Sequence, residues 1–312
     1  MKKTLLLIIV AGIVLLALSY FVVSFSQETQ SLTNEERSEA PGNFIRLDQG
    51  IVHYALQGND TADLIVFIHG GGITGMEVWN NTIPFFQQKG FQTLSYDLYG
   101  RGYTDRPETE YTPELMVHQL SQLLDTLNIS KRFTIVSMSM GAMIALEYTS
   151  KNPERVKEIV FLDPATTGDF KPNPLLKVPV VSDLLMTFYW YPKAIENQRK
   201  EFVDQALFEN YSKRLAYFMN FEGYKYINHS TWMHTLNQRN IELLKGLHQK
   251  VLLLYGEKDP YFPAGNIAIY QSLYPAIQHH AIPNAGHMPH FERPSEVNPI
   301  IYEFLTGASA GE

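Results

Sequence analysis

The sequence contains no cysteine. Disulfides and thiolate metal sites are therefore excluded, and no redox compartment can be inferred. It also lacks an excess of basic charge: 25 Lys and Arg against 32 Asp and Glu leave a net charge of −7. That balance gives a nucleic-acid surface no electrostatic support. No internal repeat or low-complexity segment is evident. What is present is a chain of 312 residues, 45% of them hydrophobic. That is long enough for one large domain with a sizeable core.

The N-terminus stands apart from the rest. Lys2 and Lys3 precede an uncharged apolar run from Leu5 to about Phe25. The run is roughly 20 residues, the length that spans a bilayer as a helix. Secretory signal cores are shorter, roughly 7–15 residues. Run length therefore favours an uncleaved transmembrane anchor over residues 1–26. The alternative is secretion after cleavage near Ser24-Phe25-Ser26, a poor site. Lysines before the run and Glu28, Glu35 and Glu36 after it place the N-terminus inside and the body on the extracytoplasmic side. Residues 27–42 are polar, end in Pro41-Gly42, and are expected to be a linker.

From Asn43 the pattern becomes strands and helices. Phe44–Leu47 and Ile51–Leu56 flank a turn and predict a hairpin. Further strands are expected at Leu64–Ile68, Phe91–Tyr96, Phe133–Val136, Lys157–Leu162, Val251–Tyr255 and His279–Ile282. Helical spacing marks Pro113–Leu127, the stretch from Ala142, and Pro294–Leu305. A hairpin followed by alternating strands and helices predicts an α/β protein with a mostly parallel sheet. Residues 166–248 interrupt the alternation with an aromatic-rich segment, helical from about Pro192 to Asn220, and are expected to be an inserted cap. The core then comprises 43–165 and 249–306, and the tail from Gly307 is expected to fray.

Candidate chemistry sits at strand ends. Ser137-Met138-Ser139-Met140-Gly141 joins an apolar strand to a helix with almost no loop. Small residues on both sides of Ser139 let the two backbones approach, so that Ser139 projects from a sharp bend. Asp259 follows another strand in Gly256-Glu257-Lys258-Asp259-Pro260. His287 follows the last, in Asn284-Ala285-Gly286-His287. A serine hydroxyl becomes a nucleophile when an imidazole takes its proton, and a carboxylate fixes the imidazole's tautomer. Attack on a carbonyl also creates an oxyanion that needs preorganised N–H donors. His69-Gly70-Gly71-Gly72 can turn backbone N–H groups towards a ligand, and the Met140 N–H, directly after Ser139, supplies a second donor.

With these motifs the chain resembles the α/β-hydrolase superfamily over about residues 43–306. His69-Gly70-Gly71, the stretch Asp97 to Pro107, the Ser139 bend, Gly256 to Pro260 and Gly286-His287 carry the resemblance. It implies an eight-stranded, mostly parallel sheet flanked by helices, with a helical cap inserted after the sixth strand. It assigns Ser139 as nucleophile, Asp259 as acid and His287 as base, with Gly71 and Met140 as the oxyanion hole. The implied activity is cofactor-free hydrolysis of carboxylic esters, apolar or lipid-derived given the aromatic cap and the anchor. Carbon–carbon, amide or perhydrolase chemistry on the same triad is the alternative, and a non-catalytic binding protein a further one. Ser137 departs from the usual glycine and is expected to crowd the bend.

Competing assignments are Asp163, which ends a strand before Pro164 and is more often a turn residue, and Ser137, which lacks a glycine two residues on. His290 is expected to be a loop side chain, His69 a support for the oxyanion loop, and Asp97 with Arg101 a tie within the loop after their strand. His279-His280 has no neighbouring ligand that would make a metal site. Gly70-x-Gly72-x-x-Gly75, with Asp97 about 20 residues on, formally matches a dinucleotide fingerprint. That reading leaves Ser139, Asp259 and His287 unexplained.

Overall fold

A computed structural model describes residues 2–308, so the expected fraying from residue 309 on lies outside the described residues. The chain opens with α1 (Lys2–Phe25), which buries no residue, and α2 (Asn34–Ser38). Eight strands follow: β1 (Asn43–Leu47), β2 (Gly50–Gln57), β3 (Leu64–Ile68), β4 (Gln92–Tyr96), β5 (Phe133–Met138), β6 (Val156–Leu162), β7 (Lys250–Gly256) and β8 (Gln278–Ile282). They form one sheet in the order β1-β2-β4-β3-β5-β6-β7-β8. The pairs β1/β2 and β2/β4 are antiparallel; all others are parallel.

Helices α3 (Ile83–Gln88), α4 (Pro113–Thr126) and α5 (Met140–Lys151) fall before the cap. Between β6 and β7 lie α6 (Pro179–Leu185), a π-turn (Met186–Trp190), α7 (Tyr191–Arg199), α8 (Gln205–Met219) and α9 (Tyr224–Thr231). Helices α10 (Asn266–Leu273), α11 (Pro289–Glu292) and α12 (Pro294–Thr306) complete the fold.

Every residue of β3, β4 and β5 is buried, because helices cover both faces of a parallel sheet. Alternation along β3 divides the core. Leu64, Val66 and Ile68 join Leu120 and Leu124 of α4 and Ile144 of α5 on one side, while Ile65 and Phe67 join Trp79, Phe86, Val297 and Ile301 on the other. Each such side chain contributes roughly 1.5–3 kcal/mol on burial. Rigid strands therefore present their C-terminal ends, and the loops that follow them, along one edge of the sheet.

The cap departs from its expected pattern in one respect. The helical spacing of Pro192–Asn220 resolves into two helices broken at 200–204, where Asp204 accepts the Leu207 N–H at 2.9 Å and caps α8. Two arginines tie cap to core. Arg106 donates to the Phe218, Phe221 and Glu222 carbonyls at 3.1, 2.7 and 3.0 Å, and Arg101 donates to Thr231 Oγ1 at 2.6 Å.

The segment expected to be a linker is docked. Gln30 exchanges backbone hydrogen bonds with Asn220 and Glu222 at 3.0 and 2.8 Å. A capping box on Thr33 starts α2. Buried Arg37 pairs with Asp105 and donates to the Tyr103 carbonyl at 3.1 Å. Some of the polar residues here, Gln27 and Arg37 among them, are buried and bond to the cap and core, while most of the segment's side chains remain exposed. Arg37→Ala is accordingly expected to lower stability by about 1–3 kcal/mol, measured by thermal or denaturant unfolding. A solvated linker would leave the midpoint unchanged.

Candidate active site

The strand β5 runs directly into α5. The residue between them, Ser139, has φ 50° and ψ −120°, a conformation that costs a residue with a side chain about 1–3 kcal/mol. Its N–H donates to the Leu162 carbonyl at 2.9 Å, and its own carbonyl accepts the Ala142 and Ala165 N–H groups at 3.0 and 3.1 Å. A Cβ on Gly141 would collide with the Ile68 and His69 carbonyl oxygens, so only glycine lets α5 come this close to the end of β3. The other flank tolerates more. Ser137 is fully buried and its hydroxyl donates to the Val160 carbonyl of β6 at 3.3 Å. The hydroxymethyl group expected to crowd the bend is directed at the neighbouring strand and leaves the turn formed.

The three candidate residues meet. His287 Nδ1 lies 2.8 Å from Asp259 Oδ2, and His287 Nε2 lies 2.9 Å from Ser139 Oγ. This arrangement suits an Nδ1–H tautomer, which leaves Nε2 free to accept the serine proton. Gly70 packs against the Ser139 side chain and Gly71 beside Met140. Among the described residues, neither the Gly71 nor the Met140 N–H has a protein acceptor. Two unclaimed donors thus stand next to the hydroxyl, one of them at the N-terminus of α5, where the helix dipole favours negative charge.

Three carboxyl groups surround His287. Burial opposes the charged form of Asp259, but the charge and hydrogen bond of His287 outweigh it and hold this carboxyl below its ordinary value. Asp163, at φ 45°, accepts the Gly256 N–H at 3.0 Å. Burial, then the neighbouring Asp259 charge, push Asp163 well above the usual carboxylate range. Asp163, Asp259 and His287 bring ligand atoms within 4.8 Å of one another, yet only Asp259 contacts the imidazole. The third, Glu201, comes from the break between α7 and α8. Its backbone carbonyl accepts the His287 N–H at 2.8 Å. Burial raises its carboxyl to about 7, against the opposing pull of His287 and contacts with Gln198 and Tyr261.

A model of the alpha/beta hydrolase fold matches residues 63–294. The chain belongs to the alpha/beta hydrolase fold family. A Mycobacterium tuberculosis protein bearing a non-heme bromoperoxidase name is 25% identical over 83% of this chain and 100% of its own length. A 2-hydroxy-6-oxononadienedioate/2-hydroxy-6-oxononatrienedioate hydrolase of Pseudomonas putida is 24% identical over 88% of this chain and 99% of its own. Among solved structures, a meta-cleavage product hydrolase of Pseudomonas fluorescens superposes with a TM-score of 0.70 at 22% identity, covering 86% of this chain and 98% of that one. These relatives support a hydrolase without selecting the bond it cleaves.

Other polar residues of this hydrolase serve structure. His69 accepts the Leu98 N–H at Nε2 (2.9 Å) and contacts the Gly70 carbonyl through Nδ1 (2.7 Å). Burial lowers its pKa to about 4, so it stays neutral and braces the glycine loop. Asp97 accepts the Met76 and Tyr103 N–H groups at 2.7 and 2.9 Å and contacts His53 at 2.7 Å. It does bind its loop together, and Arg101 both donates to the Tyr99 carbonyl of that loop at 3.2 Å and reaches the cap. His290 is no loop side chain: it lies on the short α11, fully buried against Trp79 with ring centroids 4.4 Å apart. His279 Nε2 lies 3.2 Å from the Gln271 side-chain amide. The dinucleotide fingerprint fails on the same geometry. Gly75 and Gly102 make room for the buried Asp97 carboxylate, which cannot reach a ribose, and a 3₁₀ turn (Gly75–Trp79), not a long helix, follows the glycines.

Two site residues escape sequence reasoning. Glu201 follows Arg199 and Lys200 and looks like a solvated helix position. Glu292 accepts the Val203, Asp204 and Gly286 N–H groups at 2.7, 2.7 and 2.6 Å, clamping the His287 loop to the cap. A buried glutamate five residues beyond the histidine was the one available signal.

Asp259→Asn is expected to lower kcat by about 10³–10⁴-fold, the scale seen when a triad carboxylate is lost. Asp163→Asn should lower it far less, because an amide can still donate to Asp259 and accept from Gly256. Steady-state kinetics of both variants check this; the reverse ranking would make Asp163 the acid. The pH profile gives a second check. Burial disfavours the His287 imidazolium, but the Asp259 charge and hydrogen bond, then the Glu201 charge, raise its pKa above 6.5. Activity should therefore be lost as pH falls through that value, where the base becomes protonated. Glu201→Gln removes one stabilising charge, so the acidic limb of kcat/KM should move to lower pH. An unmoved limb would remove Glu201 from the site's electrostatics.

Proposed function

We propose that this hydrolase cleaves carboxylic esters with apolar, lipid-derived acyl groups through an acyl-enzyme on Ser139. The observation that carries this reading is the unbroken series Asp259, His287 and Ser139, at 2.8 and 2.9 Å, ending beside the two unclaimed N–H groups. Ser139 Oγ attacks the ester carbonyl carbon while His287 Nε2 takes its proton. The Gly71 and Met140 N–H groups bind the resulting oxyanion. Collapse expels the alkoxide, which takes the proton from His287. Water then attacks the acyl carbon, giving its proton to His287, and the acid leaves as Ser139 recovers the proton. Asp259 stays ionised and holds the imidazole tautomer. No cofactor is required by these steps.

The apolar acyl preference is supported by the aromatic cap and by α1, long and apolar enough to cross a membrane. In this reading α1 is an uncleaved anchor, with the catalytic domain on the extracytoplasmic side. Carbon–carbon hydrolysis is the second reading, favoured by the relatives named for dienedioates and meta-cleavage products. Glu201 weighs against doubly anionic substrates here, since its carboxyl, where ionised, adds negative charge near His287 and like charges repel.

Two measurements test the proposal. A fluorophosphonate probe is expected to label the wild type and not Ser139→Ala; equal labelling would end the serine-hydrolase reading, and no labelling of either would favour a binding protein. Rates on aryl esters of increasing acyl length are expected to exceed those on a 2-hydroxy-6-oxo dienoate. Faster turnover of the dienoate would establish the carbon–carbon reading instead.

A further inference from the structure

The exposed apolar side chains of the folded body are concentrated in one place. Outside α1, eight large hydrophobic residues are exposed among those described, and six of them lie between Phe170 and Tyr189. Leu175 is 51% exposed, Val178 48%, Val180 71% and Tyr189 59%. Single exposed hydrophobics are ordinary on a soluble surface, whereas such clustering marks an interaction site.

This patch touches α1. Tyr20 packs edge-on against Phe188 with ring centroids 6.3 Å apart. Just past the helix, the Gln27 amide donates to the Thr187 carbonyl at 3.0 Å. At 1.5 Å per residue α1 is about 36 Å long and Tyr20 lies about 8 Å from its end. The hydrocarbon layer is only about 30 Å thick. The last turn of α1 therefore reaches the headgroups, and Tyr20 with the cap segment packed on it stands at the edge of the hydrocarbon layer. A cleft of about 680 Å³ opens between Tyr20 and Ser24 on one side and Met186, Thr187 and Met233 on the other. The charges fit that level too. Lys171, Lys177 and Lys193 outnumber Asp183 in this segment, and Lys193 Nζ lies 4.1 Å from the Tyr189 ring centroid. Aromatic rings with lysines that can extend to phosphates are the composition of a membrane interface.

We propose that residues 170–193 form a membrane-docking surface, seated in the headgroup region of the leaflet reached by the C-terminal end of α1. The occupant is a lipid surface, because the patch continues the lipid-facing surface of α1 and carries a basic excess suited to anionic headgroups. This inference rests on the reading of α1 as an uncleaved anchor. It extends the ester proposal by holding the cap in the phase where apolar esters dissolve.

The lack of cysteine permits a site-specific test in the full-length chain. Leu175→Cys and Val180→Cys are labelled with an environment-sensitive fluorophore and reconstituted into vesicles of phosphatidylcholine and phosphatidylglycerol alone. Val14→Cys within α1 and Glu154→Cys before β6 serve as references, and fluorophosphonate labelling confirms that each variant is folded. The expected result is a blue shift at 175 and 180, with loss of intensity when the lipids carry a spin label near the headgroup. Val14 should respond to a label deep in the acyl region, and Glu154 to neither. If Val14 responds while 175 and 180 behave like Glu154, the docking surface is wrong and the anchor stands. If Val14 also fails to respond, the anchor reading falls and docking with it. A blue shift that requires native membrane proteins, and is missing in pure lipid, would assign the patch to a protein partner and overturn the proposal.

Discussion

The approach of α5 to the end of β3 at Gly141 is the constraint on which the rest of the site depends. No side chain fits between that residue and the Ile68 and His69 carbonyls, so the backbone must turn within one residue. The turn puts Ser139 into a positive-φ conformation and leaves the Met140 N–H at the open end of a helix. Because Ile68 and Ser137 are paired in register across β3 and β5, the same approach sets the glycine loop beside the serine. His69, kept neutral by burial, then braces that loop against the residues following β4. The proposed nucleophile and oxyanion site thus both follow from one packing requirement.

Electrostatics divides labour among the acidic groups around a single imidazole. His287 holds the Asp259 carboxyl below its ordinary value, whereas burial and the neighbouring Asp259 charge push Asp163 well above its own. Two neighbouring carboxyls in a buried site resist ionising together. Glu201 titrates near 7 and belongs to the cap, not the sheet. The break between α7 and α8 that delivers it also delivers the backbone carbonyl that holds His287, and Glu292 clamps the same break to Gly286. Cap and His287 loop are therefore tied together by hydrogen bonds.

Much of this was legible in the chain. Parallel strands covered on both faces are continuous apolar runs, so β3, β5, β6 and β7 stand out, and the strand-end motifs mark Ser139, Asp259 and His287. The short α10 was not legible, having too few turns to establish a period. Asp163 looks like a rival to Asp259 because the two are far apart in sequence. Only the adjacency of β6 and β7 reveals that one supports the other. Glu201 and the docking of 27–42 were hidden for a similar reason: polar residues that bond to distant backbone look, in sequence, like polar residues in water. Ser137 carried the opposite error, since its hydroxyl had a partner on β6 that sequence could not supply.

If the proposed chemistry holds, Ser139 forms a covalent acyl intermediate with His287 as its base. Rapid-quench mass spectrometry after mixing the full-length protein with an activated aryl ester tests this most directly. The predicted result is one acyl adduct, on the peptide carrying Ser139, appearing with a burst of released alcohol and missing from His287→Ala. Turnover of the ester with no adduct, or with the adduct on another residue, would contradict it.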